Sequence, residues 1–216
     1  MDVGKYNITS INLLTGEKVT NELEIVKRII ENKDLTADFN DGSKFVVKVI
    51  GDDGNIAPEG DIVDISVNGV HYVAKVGKNG YASLTVKLIP KKYKITAEYK
   101  EFKTTNKLVV KQILKAVKKT TTIKKGKKLV LKAKLKLSNG KALKGKVINF
   151  KFKGKTYKAK TNKKGIAKVT IKKKVTKKLK KGKKYKVTIS YNVKDKYASG
   201  YVTISDKVKC FVKVKK

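Results

Sequence analysis

The stretch KLVLKAKLKL, residues 128–137, decides the fold. Every odd-numbered residue in it is apolar, and every even-numbered residue except Val130 is lysine. A period of two is the signature of a β-strand with one buried face, because successive side chains point to opposite sides of a sheet. The stretch therefore predicts a strand with lysines on its solvent face and an apolar face formed by Leu129, Leu131, Ala133, Leu135 and Leu137.

The same alternation recurs along most of the chain. Further predicted strands contain the apolar sets Phe45/Val47/Val49, Leu84/Val86/Leu88, Tyr93/Ile95/Ala97/Tyr99, Ala167/Val169/Ile171 and Tyr185/Val187/Ile189/Tyr191. Short strands with turns roughly every 8–12 residues are typical of a β-sandwich. The only helix candidate is Glu22–Glu31, where continuation of a strand competes. We expect an all-β protein built of tandem immunoglobulin-like sandwich repeats.

Two long segments of the chain match each other. Val67–Gly69 corresponds to Phe152–Gly154, and Lys78–Ala82 corresponds to Lys163–Ala167, both at an offset of 85 residues. After a seven-residue insertion, Tyr93-Lys94-Ile95-Thr96 pairs with Tyr185-Lys186-Val187-Thr188. Coincident turn glycines and tyrosines at a fixed offset indicate a true repeat.

A third, partial copy of the pattern begins at Tyr6-Asn7-Ile8-Thr9. Residues 1–30 therefore resemble the final strands of a preceding, truncated repeat. We predict this partial repeat, a near-neutral sandwich over residues 31–112 and a lysine-rich sandwich over residues 113–216. A lone hairpin is marginal in water, so we expect the chain to come from a longer precursor that carries the export signal.

The charge of the chain lies almost wholly in its second half. The net charge is +38, and residues 113–216 contain 38 lysines but only two acids, Asp195 and Asp206. Residues 1–112 contain 16 lysines, Arg28 and 15 acids. Charge of one sign costs stability through self-repulsion, and it attracts polyanions. The charge therefore indicates a polyanionic partner for the second repeat.

The densest run of charge occupies residues 172–184, which we expect to form one long loop or hairpin. Base recognition and bidentate phosphate recognition favour arginine, and the second repeat has none. Diffuse, salt-sensitive attraction is the better interpretation. The candidate polyanion-binding residues are Lys172, Lys173, Lys174, Lys177, Lys178, Lys180, Lys181, Lys183 and Lys184.

Several segments resemble a known class of repeat. Asp41–Val49, Asn68–Tyr72 and Lys78–Leu84 are similar to the immunoglobulin-like repeats of adhesin-like surface proteins from methanogenic archaea. More distantly, they resemble invasin/intimin-type domains of bacteria. Gly154–Asn162 is similar to the basic repeats near the C-terminus of such proteins. The resemblance implies an extracellular, stalk-like protein of the cell surface that serves attachment or display.

Candidates for catalysis or metal binding are few. His71 is the only histidine, and Cys210 is the only cysteine, with lysines around it that favour a lowered thiol pKa. Neither has the convergent partners that a nucleophile or zinc site needs. Five acids near one turn offer oxygen ligands for Ca²⁺, but their spacing matches no Ca²⁺ loop: Asp52, Asp53, Glu59, Asp61 and Asp64. We expect a solvated turn there, and no enzyme activity or cofactor.

The leading interpretation is a non-enzymatic, adhesin-like cell-surface protein. Its basic repeat would bind anionic polymers of the cell envelope, or the surface of a host or neighbouring cell, electrostatically. The alternative is an intracellular nucleic-acid-binding protein with nonspecific contacts, in which Tyr157, Tyr185, Tyr191 and Tyr197 stack on bases. Asn7-Ile8-Thr9 is a glycosylation sequon. No apolar run approaches the ~18 residues of a membrane span.

Overall fold

Nearly all of the protein's regular secondary structure is β-strand, as expected. The computed structural model describes residues 3–197 and 200–215, and for residues 196, 197, 200 and 201 it describes the backbone alone. Grouping by spatial proximity gives two compact units. The first comprises Met1–Leu35, Lys44–Thr85 and Tyr93–Leu108, and the second comprises Thr36–Ser43, Val86–Lys92 and Val109–Lys216. The domain limits after residues 30 and 112 stay predictions.

Ten strands precede residue 112. They are β1 Gly4–Ile11, β2 Lys18–Ile25, β3 Ile29–Ile30, β4 Leu35–Asp38, β5 Lys44–Val49, β6 Ile62–Val67, β7 Val70–Lys75, β8 Tyr81–Thr85, β9 Lys91–Tyr99 and β10 Phe102–Lys111. β1 and β2 form a hairpin of their own; the others form a five-stranded sheet, β4-β10-β9-β6-β7, and a three-stranded sheet, β3-β5-β8. Every second residue is buried in β5, beginning with Phe45, and in β6, ending with Val67. This alternation builds a sandwich core.

The remaining elements repeat that plan. They are β11 Leu114–Ala116, β12 Thr120–Ile123, β13 Leu129–Leu135, β14 Val147–Phe152, β15 Lys155–Lys160, β16 Ile166–Ile171, α1 Lys173–Thr176, β17 Lys184–Tyr197 and β18 Gly200–Val214. The sheets are β11-β13-β16 and β12-β18-β17-β14-β15, with β12 running parallel to β18. The all-β, immunoglobulin-like prediction is confirmed.

The stretch at residues 128–137 forms β13 and fills the core of the second unit. Leu129, Leu131, Ala133 and Leu135 are each at most 2% exposed. They lie opposite the inward residues of β16, so that Leu131 pairs with Val169 and Ala133 with Ala167. The fifth predicted core residue, Leu137, is only half-buried because β13 ends at Leu135 and a turn begins.

The helix candidate at Glu22–Glu31 is wrong. β2 continues to Ile25 and pairs with β1, with Leu23 opposite Tyr6. Ile29 then starts β3, where it pairs with Val49 and is 6% exposed. Strand pairing outweighs helical propensity here because it buries Ile29 in a core, which a short isolated helix would not do.

The β1–β2 hairpin has the sequence of a core hairpin but an exposed apolar face. Thr20-Asn21-Glu22-Leu23 matches Thr105-Asn106-Lys107-Leu108 in β10. Leu108 is 0% exposed, whereas Leu23 is 37% exposed. Likewise Ile95 of β9 is 0% exposed and its counterpart Ile8 of β1 is 44% exposed. The hairpin therefore lacks the burial that stabilises its counterpart.

We expect the backbone amides of β1–β2 to exchange with solvent about 100-fold or more faster than those around Ile95 and Ala97, because local opening is easy where little apolar surface is buried. Native-state hydrogen exchange read by NMR measures this, with the amides of β13 as the protected reference. Equal protection in β1–β2 and β9 would mean that a partner, such as a second copy of the chain, covers the hairpin in solution.

Candidate functional site

All nine candidate lysines are solvent-exposed; eight lie in the connection between β16 and β17, and Lys184 is the first residue of β17. This connection is not one loop or hairpin as expected, because it contains α1, a single helical turn over Lys173–Thr176. The turn forms because two side chains anchor the segment in the core. Thr176 is 0% exposed and donates its hydroxyl proton to the Lys127 carbonyl oxygen at 2.7 Å, and Leu179 is 1% exposed.

A third contact fixes the end of this segment. The backbone N–H of Lys180 donates to the Tyr185 hydroxyl oxygen at 2.7 Å. The lysines between β16 and β17 thus extend from an anchored support, so the cost of ordering them on binding is limited to their own side chains.

Two of the candidate lysines, Lys174 and Lys178, line a cleft of about 370 Å³. Lys174 lies in α1 and Lys178 follows its end by two residues. Lys153 and Lys155, at the turn between β14 and β15, line the same cleft. Four apolar or aromatic side chains complete the lining: Phe152, Tyr157, Val175 and Leu179. We call this the α1 cleft.

The other candidate lysines do not all gather there. Lys184 lines a separate groove of about 520 Å³ together with Lys115, Lys119 and Lys209. Its Nζ lies 4.2 Å from the centre of the Phe211 ring, at cation–π distance. Three of the nine candidate lysines therefore line two separate concave surfaces, and the other six line neither of them. The role of the nine lysines in polyanion binding stays a prediction.

Sequence reasoning missed Lys153 and Lys155, and it considered Tyr157 only as a residue that stacks on nucleic-acid bases. They lie about 20 residues before the candidate run, and only the folding of the β14–β15 hairpin beside α1 brings them to the cleft. A signal was present in the triplet Lys153-Gly154-Lys155, which places two lysines around a tight turn. The hairpin register sets Tyr157 opposite the fully buried Phe150, so both residues are on the same face of the sheet.

The two acids of residues 113–216 are both buried. Asp206 is 0% exposed and Asp195 is 7% exposed. Because these are the only Asp or Glu residues in this segment, its solvent-exposed side-chain charge is of one sign. Burial raises the pKa of Asp206, and hydrogen bonds from Leu114, Gln112 and Ile113 partly oppose that rise. This separation of acids inside and lysines outside makes the surface a polycation.

Four of the five acids considered for Ca²⁺ have separate partners. Asp52 pairs with Lys100, which lowers the pKa of the Asp52 carboxyl, and Asp53 accepts hydrogen bonds from Asn55. In the part of the chain that the structure describes, no three His, Cys, Asp or Glu side chains come together to hold a metal ion.

Two further acids of that set bind aromatic partners. Asp61 accepts a hydrogen bond from the Tyr99 hydroxyl at 2.6 Å, and the pKa of Tyr99 rises to about 12, chiefly through burial and then through this bond. Asp64 lies 2.5 Å from His71 Nδ1, and the His71 side chain is 64% exposed. His71 is thus a surface residue beside a carboxylate.

Cys210 and the tyrosines also have structural positions. Cys210 is a 3% exposed residue of β18, and burial raises its thiol pKa, so the neighbouring lysines do not activate it. Tyr191 is 7% exposed, and Tyr185 packs edge-on against Phe152 at 6.4 Å. Neither is an open stacking platform. Tyr157 lines the α1 cleft, and the Tyr197 side chain lies outside the described residues.

Comparison with known proteins finds structural likeness without sequence relatives. No family model matches the chain, and no curated protein matches it. A Ca²⁺-stabilised adhesin with which an Antarctic bacterium binds ice aligns over 98% of this chain and 56% of its own, at 12% identity and a TM-score of 0.30. Invasin, a bacterial integrin-binding protein, aligns over 82% of this chain and 37% of its own, at 18% identity and a TM-score of 0.34.

Fibronectin(III)-like modules of Clostridium thermocellum CbhA align over 87% of this chain and 94% of their own, at 11% identity and a TM-score of 0.29. The alignment spans about 56% of the solved chain of the ice-binding adhesin. The resemblance to methanogen adhesin-like repeats stays a prediction. Among the described residues, no helix is long and apolar enough to cross a bilayer.

Proposed function

We propose that this chain is a non-enzymatic, adhesin-like repeat protein of the cell surface whose lysine-rich segment binds anionic polymers of the cell envelope. The observation that supports the proposal is the one-signed surface of residues 113–216. This segment contains 38 lysines and two acids, and both acids are buried. A surface of this kind gains affinity by releasing counterions from a polyanion. The near-neutral repeat would act as a spacer.

The type of basic residue supports diffuse recognition. Lysine is a compact, flexible point charge, whereas arginine presents a planar fork that matches phosphate and base edges. Residues 113–216 contain no arginine. The lysines alternate along solvent faces of strands such as β13 and β15, which spreads the charge over the sandwich. Such a surface suits an extended polymer better than a single small ligand.

The test is the salt dependence of polymer binding by the full chain. We expect polygalacturonate, polyphosphate and duplex DNA to bind at 0.05 M NaCl and to lose about 10³-fold in affinity by 0.2 M, as for proteins with several lysine–phosphate contacts. Titration calorimetry measures this, and neutral dextran is the control. Absence of binding to every anionic polymer at 0.05 M, or affinity independent of salt, would refute the proposal. Preference for DNA over both other polymers would favour the nucleic-acid alternative.

A further inference from the structure

The α1 cleft combines cations with an aromatic wall and an apolar floor, which diffuse charge attraction does not require. Lys174 and Lys178 come from the connection between β16 and β17, and Lys153 and Lys155 come from the β14–β15 hairpin. Its volume of about 370 Å³ falls within the range of ligand pockets, about 300–1,000 Å³. We propose that the α1 cleft binds the acidic sugar residues of an anionic polysaccharide. This inference rests on the proposed function and names the ligand class of one site.

Charge complementarity gives the first reason. No Asp or Glu lines the cleft, and neither acid of residues 113–216 reaches the surface. A carboxylate that enters therefore meets lysines of two chain segments and no acid, and the partly apolar lining reduces the screening of those charges by water. The anchoring of α1 through Thr176 and Leu179 keeps one side in place.

The aromatic wall gives the second reason. Tyr157 is half-buried on β15, and the half-buried Val175 also lines the cleft. A pyranose ring has an apolar face of C–H groups that packs on an aromatic ring, and a hydroxyl such as that of Tyr157 suits its polar edge. A uronic acid carries this apolar face and a carboxylate on the same ring. One sugar unit can therefore contact both the Tyr157 ring and the lysines of the cleft.

The turn at Lys153 gives the third reason. Lys153 has φ of 48°, in the left-handed region, and Gly154 follows with φ of 76°. The equivalent turn of the first repeat is Asn68-Gly69, the preferred pair for such two-residue hairpins. Lysine adopts this conformation less readily than asparagine. This turn places the side chain of Lys153 at the edge of the cleft.

Other polyanions fit these features less well. Polyphosphate has no apolar face to place against Tyr157. Single-stranded nucleic acid needs successive aromatic platforms, but Tyr191 is buried and Tyr185 is half-buried and packed against Phe152. Polyphosphate and DNA should therefore depend on the lysines and not on Tyr157, which makes Tyr157 the deciding residue.

The experiment measures binding of the full chain to a galacturonate oligomer and to polyphosphate at low salt. We expect Tyr157→Ala to weaken oligogalacturonate binding about 10-fold, as loss of a stacking platform does, and to change polyphosphate binding less than about twofold. Tyr157→Phe keeps the ring and should keep most of the affinity. In the unchanged protein, NMR signals of Tyr157 and Lys174 should shift on adding the oligomer, a readout that does not depend on whether the variants fold.

Lys153→Asn is the matched charge test. It should weaken binding of both polymers about threefold by removing one contact, yet raise the midpoint of thermal unfolding because asparagine relieves the turn. Lys100→Asn is the control. Lys100 has a similar φ of 53° but belongs to the first unit. This substitution therefore removes the same charge outside the cleft and should leave both affinities nearly unchanged.

Three results would overturn the inference. Unchanged oligogalacturonate binding in Tyr157→Ala, with no NMR shift at Tyr157 in the unchanged protein, would leave only diffuse charge and keep the proposed function. An equal loss for polyphosphate and oligogalacturonate in Tyr157→Ala would remove the preference for sugar. Absence of binding to either polymer at low salt would instead refute the proposed function itself.

Discussion

Replacing Asp206 by alanine is expected to lower the free energy of unfolding of the second unit by about 2–6 kcal/mol, because two buried donors lose their acceptor at about 1–3 kcal/mol each. Asp206 Oδ2 accepts the backbone N–H groups of Ile113 and Leu114, each at 2.8 Å, and Oδ1 accepts Gln112 Nε2 at 2.8 Å. Asp206 and Leu114 are 0% exposed, so water does not replace the carboxylate. Urea unfolding followed by circular dichroism measures the loss.

Asp206→Asn is the matched control, since its amide oxygen can still accept from Ile113 and Leu114. We expect a smaller loss than with alanine. Burial raises the pKa of Asp206 above its ordinary value of 3.8, so the folded state binds the proton more tightly than the unfolded state does. Wild type should therefore gain stability relative to Asp206→Asn as pH falls through the raised pKa towards 3.8. Equal stability of wild type and the alanine variant would show that the carboxylate does not hold residues 112–114.

The strands could be predicted from the sequence because their signal is local. Alternation at residues 128–137 identified four fully buried core residues of β13, and only Leu137, beyond the strand end, differed. Periodicity reports which face of a strand is apolar, and burial of that face is what folding requires of it. The repeat added the turns, since Asn68-Gly69 and Lys153-Gly154 adopt the same left-handed conformation.

The helical turn α1 could not be predicted, because its cause lies elsewhere in the chain. Residues 172–184 have no apolar period, and the turn depends on Thr176 reaching the Lys127 carbonyl and on Leu179 entering the core. The α1 cleft depends on that turn and on the β14–β15 hairpin together. A contact between segments about 20 residues apart leaves no local pattern, so the sequence indicated charge at this site but not shape.

The burial of both acids was equally hidden. Composition showed that residues 113–216 hold two carboxylates, but composition does not distinguish a surface acid from a core acid. Asp206 sits on β18 next to lysines in sequence, yet its strand position points it inward to Ile113 and Leu114. The Asp206 carboxylate therefore stabilises the fold, and it does not neutralise the charge of the surrounding lysines. Because alternate residues of a strand point to opposite faces of the sheet, the acid is buried while neighbouring lysines are exposed, and the surface charge is of one sign.

Gly165→Ala is expected to lower the free energy of unfolding of the second unit by about 2–5 kcal/mol, the sum of a left-handed conformation and overpacking. Gly165 has φ of 73°, and an added Cβ would stand 2.4 Å from the Leu135 carbonyl oxygen and 3.3 Å from Ala142 Cβ. The Leu135 carbonyl also accepts the Leu143 N–H at 3.2 Å, and the Leu135 N–H donates to Gly165 at 2.8 Å. Backbone held by two hydrogen bonds cannot move aside without losing them.

Gly154→Ala separates the two causes. Gly154 has nearly the same φ, 76°, but nothing lies within 4 Å of a Cβ added there. Only the conformational cost remains, about 1–2 kcal/mol. Urea unfolding of both variants, with hydrogen exchange at the Leu135 amide as a local readout, compares them directly. Equal losses would mean that β13 shifts freely at its end, and the close approach of Gly165 to Leu135 would then not constrain the second sandwich.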